Sequence, residues 1–211
     1  MKFPILNIDG SKESTIELND KLVKSKINYK LIKFVIDWQL NHAKPRTAKT
    51  KQRNQIKGST KKIIAQKGSG GARHASKKAP IFVGGGVAHG PKGSKYKIKK
   101  INKKVRKLAL AQTLSKKNKD NSLHILADVK KEIKKTKEFN KFLQKNKLSN
   151  VLIISDADSL KNINRSARNI KNVKLIQEKG ANIYDIFKYK NLIITSSSVK
   201  KIQDRILNEK N

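Results

Sequence analysis

The chain has 211 residues, with 51 Lys plus Arg against 15 Asp plus Glu, and a formal net charge of +36. At 36% apolar and 5% aromatic it holds enough Leu, Ile and Val for one core, but too little for a chain globular throughout. Cysteine is absent, which excludes disulfide scaffolds and thiolate chemistry; no apolar run could span a bilayer and Met1-Lys2-Phe3-Pro4-Ile5 is no secretory signal, so a soluble, intracellular protein is expected.

Phe3, Ile5 and Ile8 before Asp9-Gly10 predict a strand and tight turn, with Ile16 and Leu18 on the return strand. From 21 to 40, Val23, Ile27, Leu31, Phe34 and Trp38 recur at helical spacing, with Asn19 or Asp20 placed to cap the helix and Pro45 just past its end. Periodicity then stops. Residues 44–98 offer only short pieces such as Ile81-Phe82-Val83, the mark of a functional extension or of disorder. Asn102 opens a second helix through Val105, Leu108, Ala109 and Leu114. Apolar strands at 123–127, 151–154, 173–176 and 192–195 then alternate with helical patterns. These are carried by Phe139, Phe142 and Leu143, by Leu160, Ile163, Ala167 and Ile170, by 183–187, and by Val199, Ile202 and Ile206 with Ser197 or Ser198 as cap. Short, nearly all-apolar strands between amphipathic helices predict the α/β class: one parallel-sheet globular domain with helices on both faces, from residues 1–43 and 99–211. A long extended basic loop, 44–98, is inserted between its first two helices.

Between Asp37 and Asp120 lie 82 residues without a carboxylate, 24 of them Lys or Arg, so two-thirds of the excess charge (24 of 36) sits in one block. A solvated face mixes both signs to limit self-repulsion. A block of one sign calls for a dense polyanion. A membrane surface fits less well than nucleic acid, because the block holds nine of the eleven glycines instead of a basic amphipathic helix. Glycines let a backbone follow a crowded surface. Lys61, Lys62, Lys67, Arg73, Lys77 and Lys78 flank them and can neutralise phosphates, and Arg can also stack on a base. Residues 44–98 contain only Phe82 and Tyr96 as aromatics, which suits folded RNA read by shape over a single-strand stacking platform. Ordering ~50 residues costs up to ~100 kcal/mol in gross terms, which a large preformed RNA offsets and a short oligonucleotide does not. As a hairpin, ~26 residues each way reach roughly 80 Å.

Catalytic readings are weak. Gly85-Gly86-Val87-Ala88-His89-Gly90 has P-loop spacing between its outer glycines, but Pro91 follows where Lys is required and no helix begins there. Gly68-Ser69-Gly70-Gly71-Ala72-Arg73 lacks the strand and helix of a dinucleotide site. His42, His74, His89 and His124 are scattered, and Asp156, Asp158 and Ser196-Ser197-Ser198 read as turns and caps. No metal, cofactor or small-molecule substrate is expected.

Two glycine-rich runs, Gln66-Lys67-Gly68-Ser69-Gly70-Gly71-Ala72-Arg73 and Ala79-Pro80-Ile81-Phe82-Val83-Gly84-Gly85-Gly86-Val87-Ala88-His89-Gly90-Pro91-Lys92, carry a resemblance. They are similar to the loop of the universal large-subunit ribosomal protein L-four family, in its bacterial form. Asn102-Lys103-Lys104-Val105-Arg106-Lys107-Leu108-Ala109-Leu110 resembles that family's helix start, and the likeness covers the whole chain, including Leu6-Asn7-Ile8-Asp9-Gly10. The resemblance implies a non-enzymatic constituent of the large ribosomal subunit that binds large-subunit rRNA and neighbouring ribosomal proteins and supports assembly. Its loop would help line the nascent-peptide exit tunnel, in the cytoplasm. By motif, it implies rRNA contacts from Arg46, Lys51, Arg53, Lys61, Lys62, Lys67, Arg73, Lys77, Lys78, Gly84, Gly85, Gly86, Lys92, Lys103, Lys104 and Arg106. Gln66, Lys67, Gly68, Ser69 and Gly70 would form a loop tip beside the nascent peptide. The chain departs from the family at Ile63-Ile64-Ala65, where Pro-Trp-Arg is usual, and at Gly71, where Arg is usual. Its 44 Lys to 7 Arg replace geometric guanidinium contacts with point charges. A regulatory RNA-binding protein acting on messenger RNA, and a nucleotide-binding α/β enzyme, remain as alternatives.

Overall fold

The computed structural model describes residues 1–8, 12–93 and 100–207. The predicted Asp9-Gly10 turn, Tyr96 and the boundary at 98 and 99 lie outside the described residues. The chain divides into two units, Met1–Leu40 with Lys100–Asn211, and Asn41–Lys99.

The first unit is built on strands β1 (Lys2–Leu6), β2 (Lys12–Glu17), β3 (Leu123–Leu126), β4 (Val151–Ser155), β5 (Val173–Gln177) and β6 (Asn191–Thr195). They form one sheet in the order β2-β1-β3-β6-β4-β5. Five strands are parallel, but β2 pairs antiparallel with β1, so the sheet is mixed and not purely parallel. The connection from β1 to β2 is too short for the crossover that a parallel pair requires. Every residue of β4 and β6 is buried, with Leu152 in register with Leu192 and Ile154 with Ile194. Side chains alternate across a strand. Leu152, Ile154, Leu192 and Ile194 therefore join one core cluster, and Val151, Ile153 and Ile193 join another. The first cluster is completed by helices α1 (Asp20–Val23), α2 (Tyr29–Ala43), α3 (Lys103–Lys119), α6 (Ile183–Lys188) and α7 (Ser196–Leu207). The second is completed by α4 (Thr136–Lys145) and α5 (Ala157–Ala167).

The expected single helix over 21–40 is two helices. The first ends at Val23, with Lys24 as its C-cap, and Asn28 starts the second: its Oδ1 accepts from the Lys30 and Leu31 amides at 3.1 and 3.3 Å. Two side chains of α3 hold the break open, Gln112 Oε1 accepting from Asn28 N–H (3.2 Å) and Ser115 Oγ from Ser25 N–H (3.0 Å). The basic excursion therefore follows α2, the second helix, not the first. The buried face of α2 is Ile32 and Val35, which leaves Phe34 exposed, as Leu108 is on α3. The last helix begins at Ser196, ahead of the expected caps, and Asp128 Oδ1 accepts from the Ser197 amide at 3.0 Å. Lys117 anchors the buried side of α3 by donating to the Tyr189 and Lys190 carbonyls at 2.6 and 2.9 Å; burial pushes its ammonium pKa down.

In the second unit the described regular structure beyond Ala43 is a 3-10 turn at Arg53–Gln55 and an isolated antiparallel bridge from Lys49 to Lys92. Backbone bonds tie its two limbs together: Gly93 N–H to Ala48 O (2.8 Å), Thr50 N–H to Pro91 O (2.9 Å) and Val87 N–H to Lys51 O (2.9 Å). Further along, Ile63 N–H reaches Ala75 O (2.8 Å) and Gly86 N–H reaches Lys78 O (3.0 Å). His74 packs on Phe82 with ring centroids 5.1 Å apart, and Ser76 is buried. Two glycines are obligatory here. A Cβ on Gly85 would lie 2.0 Å from Ala79 O, and one on Gly86 would lie 2.3 Å from Arg53 N, inside van der Waals contact with backbone.

Gly86→Ala is therefore expected to force these limbs apart and to speed amide hydrogen exchange at positions 86 and 87. Gly71→Ala, whose new methyl would meet only Ser69 O at 3.9 Å, serves as the control and leaves exchange unchanged. A second expectation concerns His124 on β3, whose imidazole is pushed below the ordinary 6.5 by burial. A depressed histidine contributes stability that is present in full above 6.5 and lost as pH falls through the folded value. Denaturant titrations should show wild type losing more stability than His124→Gln as pH falls below about 6.5, a difference absent above it.

Candidate nucleic-acid interface

Residues 41–99 carry 16 Lys and Arg and no Asp or Glu, so this unit holds no carboxylate of its own to balance them. The salt bridges among the described residues, from Met1–Asp20 to Lys201–Glu178, have both partners in the other unit. Arg46, Lys51, Arg53, Lys61, Lys62, Lys67, Arg73, Lys77 and Lys92 are all exposed, and Lys78 is half-buried.

Two of these cations are brought together. Arg53 and Lys78 line one hollow of about 530 Å³ with Gln52, Asn54, Thr60 and Ser76. Two cations beside amide and hydroxyl donors, with no carboxylate among the lining residues, make a cradle for a phosphate oxygen. Gln66, Lys67, Gly68, Ser69 and Gly70 are exposed on the loop closed by the Ile63–Ala75 bond. Lys62 Nζ donates to Gln66 Oε1 at its base. Gly68 (φ +85°) and Gly70 (φ +63°) have the left-handed backbone that glycine adopts without strain, with nothing near the missing side chain. Gly84 is likewise exposed with φ +80°, whereas Gly85 and Gly86 spend their lack of a side chain on the chain's own backbone.

Lys103, Lys104 and Arg106 belong to the other unit, on the first turn of α3, and all three are exposed. That turn contains no acidic residue, and the Asn102 side chain makes no capping bond to it. Cations at a helix N-terminus oppose the macrodipole, an arrangement that a nearby anion relieves. Sequence reasoning missed the aromatic partner of Arg106, and a second cation–aromatic group at Lys116. The Arg106 guanidinium lies 5.4 Å from the Trp38 ring centroid, and Lys116 Nζ lies 4.9 Å from the rings of both Tyr29 and Phe187. A lone Trp near the end of a helix that precedes a lysine-rich one was the available signal.

The weak catalytic candidates gather no chemistry. Asp156 occupies the N-cap position of α5, Asp158 pairs with exposed Lys161 at 3.8 Å, and Ser196, Ser197 and Ser198 form the first turn of α7. Among the described residues there is no group of three or more His, Cys, Asp or Glu that could hold a metal, and no helix long and apolar enough to cross a membrane.

Residues 16–205 match the model of the Ribosomal protein L4/L1 family. The chain is 50% identical over 206 residues to the large ribosomal subunit protein uL4 of Pelagibacter ubique (strain HTCC1062), covering 97% of this chain and 99% of that one. It is 40% identical over 201 residues to the uL4 of Desulforapulum autotrophicum, covering 95% and 96%. It is 37% identical over 206 residues to that of Hyphomonas neptunium, covering 97% and 96%. With a family match over most of its length and these relatives end to end, the chain belongs to the ribosomal protein L4/L1 family, as a structural protein and not an enzyme.

Proposed function

We propose that the protein is a structural constituent of the large ribosomal subunit, working in the cytoplasm, that binds large-subunit rRNA and supports assembly of the subunit. The relatives' shared name, large ribosomal subunit protein uL4, supports the subunit. The observation that carries RNA binding is the charge of residues 41–99, with 16 cations and no carboxylate; those among the described residues are exposed, or half-buried at Lys78. In this reading residues 44–98 are an extension embedded in rRNA, with Arg46, Lys51, Arg53, Lys61, Lys62, Arg73, Lys77, Lys78 and Lys92 on phosphates. Lys103, Lys104 and Arg106 add contacts from the α/β unit, which also meets neighbouring ribosomal proteins. The exposed loop with Gln66, Lys67, Gly68, Ser69 and Gly70 lies at the wall of the exit tunnel, beside the nascent peptide. Gly84 gives the backbone room to turn, and Gly85 and Gly86 hold the limbs close enough to enter RNA as one strut.

Salt dependence tests this directly. If about ten phosphates are neutralised, log affinity for a large-subunit rRNA transcript falls with log salt at a slope of about −7 to −9. Deleting residues 45–97 is expected to leave cooperative unfolding of the α/β unit in place while flattening most of that slope. A deletion that retains the full slope contradicts the assignment.

A further inference from the structure

The α/β unit holds a cavity of about 330 Å³ beside the first turn of α3. Its floor is apolar, with Val35 and Leu110 both buried. One wall is Trp38 with the Arg106 guanidinium over its ring, and Lys103, Lys107 and Lys179 stand around it. No lining residue carries a carboxylate. Arg205 Nη1 donates to the Lys179 and Ala181 carbonyls at 3.1 and 3.3 Å, which fixes the turn forming the opposite wall.

An apolar floor, a cation–aromatic pair and three lysines suit one kind of ligand, a flat ring system joined to a phosphate. An acidic protein side chain would use the lysines and leave the indole and the floor unused. Double-stranded RNA presents phosphates but keeps its bases stacked inside, whereas unpaired nucleotides can be splayed out and laid against aromatic rings or guanidinium planes. The volume lies at the small end of ligand sites, which run roughly 300–1,000 Å³, so it has room for a nucleotide and none for a helix.

We propose that this cavity receives one unpaired nucleotide of the bound RNA, its base against the Trp38–Arg106 pair and its phosphate among Lys103, Lys107 and Lys179. The inference rests on the RNA-binding reading above and adds to it a second, nucleotide-sized contact on the α/β unit, where a single base is taken out of the stack.

Trp38 is the chain's one tryptophan, so its fluorescence reports on this site alone. The full-length protein would be titrated with two RNA hairpins of the same stem, one carrying a single bulged adenosine, with binding followed by anisotropy. Both hairpins should bind, and only the bulged one should change Trp38 emission. Arg106→Ala should remove that change and lower affinity for the bulged hairpin roughly tenfold more than for the plain one, as expected for loss of a stacked base. Lys103→Gln keeps the stack and should reduce the salt slope by about one for the bulged hairpin. Binding of both hairpins with the same emission response, or with none, overturns the nucleotide site and leaves the RNA-binding reading standing. Binding of neither overturns that reading and the site with it.

Discussion

Like-charge repulsion governs residues 41–99. Sixteen cations with no carboxylate among them repel one another, by about 1 kcal/mol for each pair that comes within 4 Å in water. Salt dampens this beyond about 8 Å but not between neighbours along the chain. The internal structure described in the unit consequently rests mostly on uncharged contacts, with the Lys62–Gln66 bond beside them: backbone bonds between its limbs, the His74–Phe82 contact, and the close passage of Gly85 and Gly86 past other backbone. Among the described residues its lysines and arginines are left exposed, apart from half-buried Lys78. A polyanion both removes the repulsion and uses what is exposed, so charge and architecture point to the same partner.

The α/β unit follows a different rule. Outside α3 its acids and bases are interspersed, and its order comes from burying both faces of one sheet. Helix α3 joins the two themes. Its middle and end are buried and bonded to the rest of the unit through Gln112, Ser115 and Lys117, while its first turn presents Lys103, Lys104 and Arg106 to the surface. The helix thereby fixes three cations to an element anchored in the core.

Much of this was legible in the sequence. All-apolar runs such as Val151-Leu152-Ile153-Ile154 announced buried parallel strands, and Phe139, Phe142 and Leu143 marked a helix whose face is buried as read. The carboxylate-free stretch and its glycine runs were equally plain. What stayed hidden depended on distant partners. The break between α1 and α2 needs Gln112 and Ser115, some 84 to 90 residues away, so the apolar spacing from Val23 to Trp38 read as one helix and placed Phe34 on the wrong side. Asn28, a good cap, was the local sign of it. For Gly85 and Gly86, sequence could say that a backbone approaches closely but not that the backbone is the chain's own. The cavity at Trp38 draws residues from α2, α3, the turn at Lys179 and α7, and no local pattern reports such a meeting.

The proposed function requires that RNA enclose the charged excursion and not merely attract it to a surface. Large ribosomal subunits from cells making this protein can be sedimented through a gradient before and after a wash in about 1 M salt, where the Debye length falls to about 3 Å. An enclosed extension keeps the chain with the subunit through the wash. Release of the chain by salt alone, with the subunit otherwise intact, would contradict enclosure and leave surface electrostatics as the explanation of its charge.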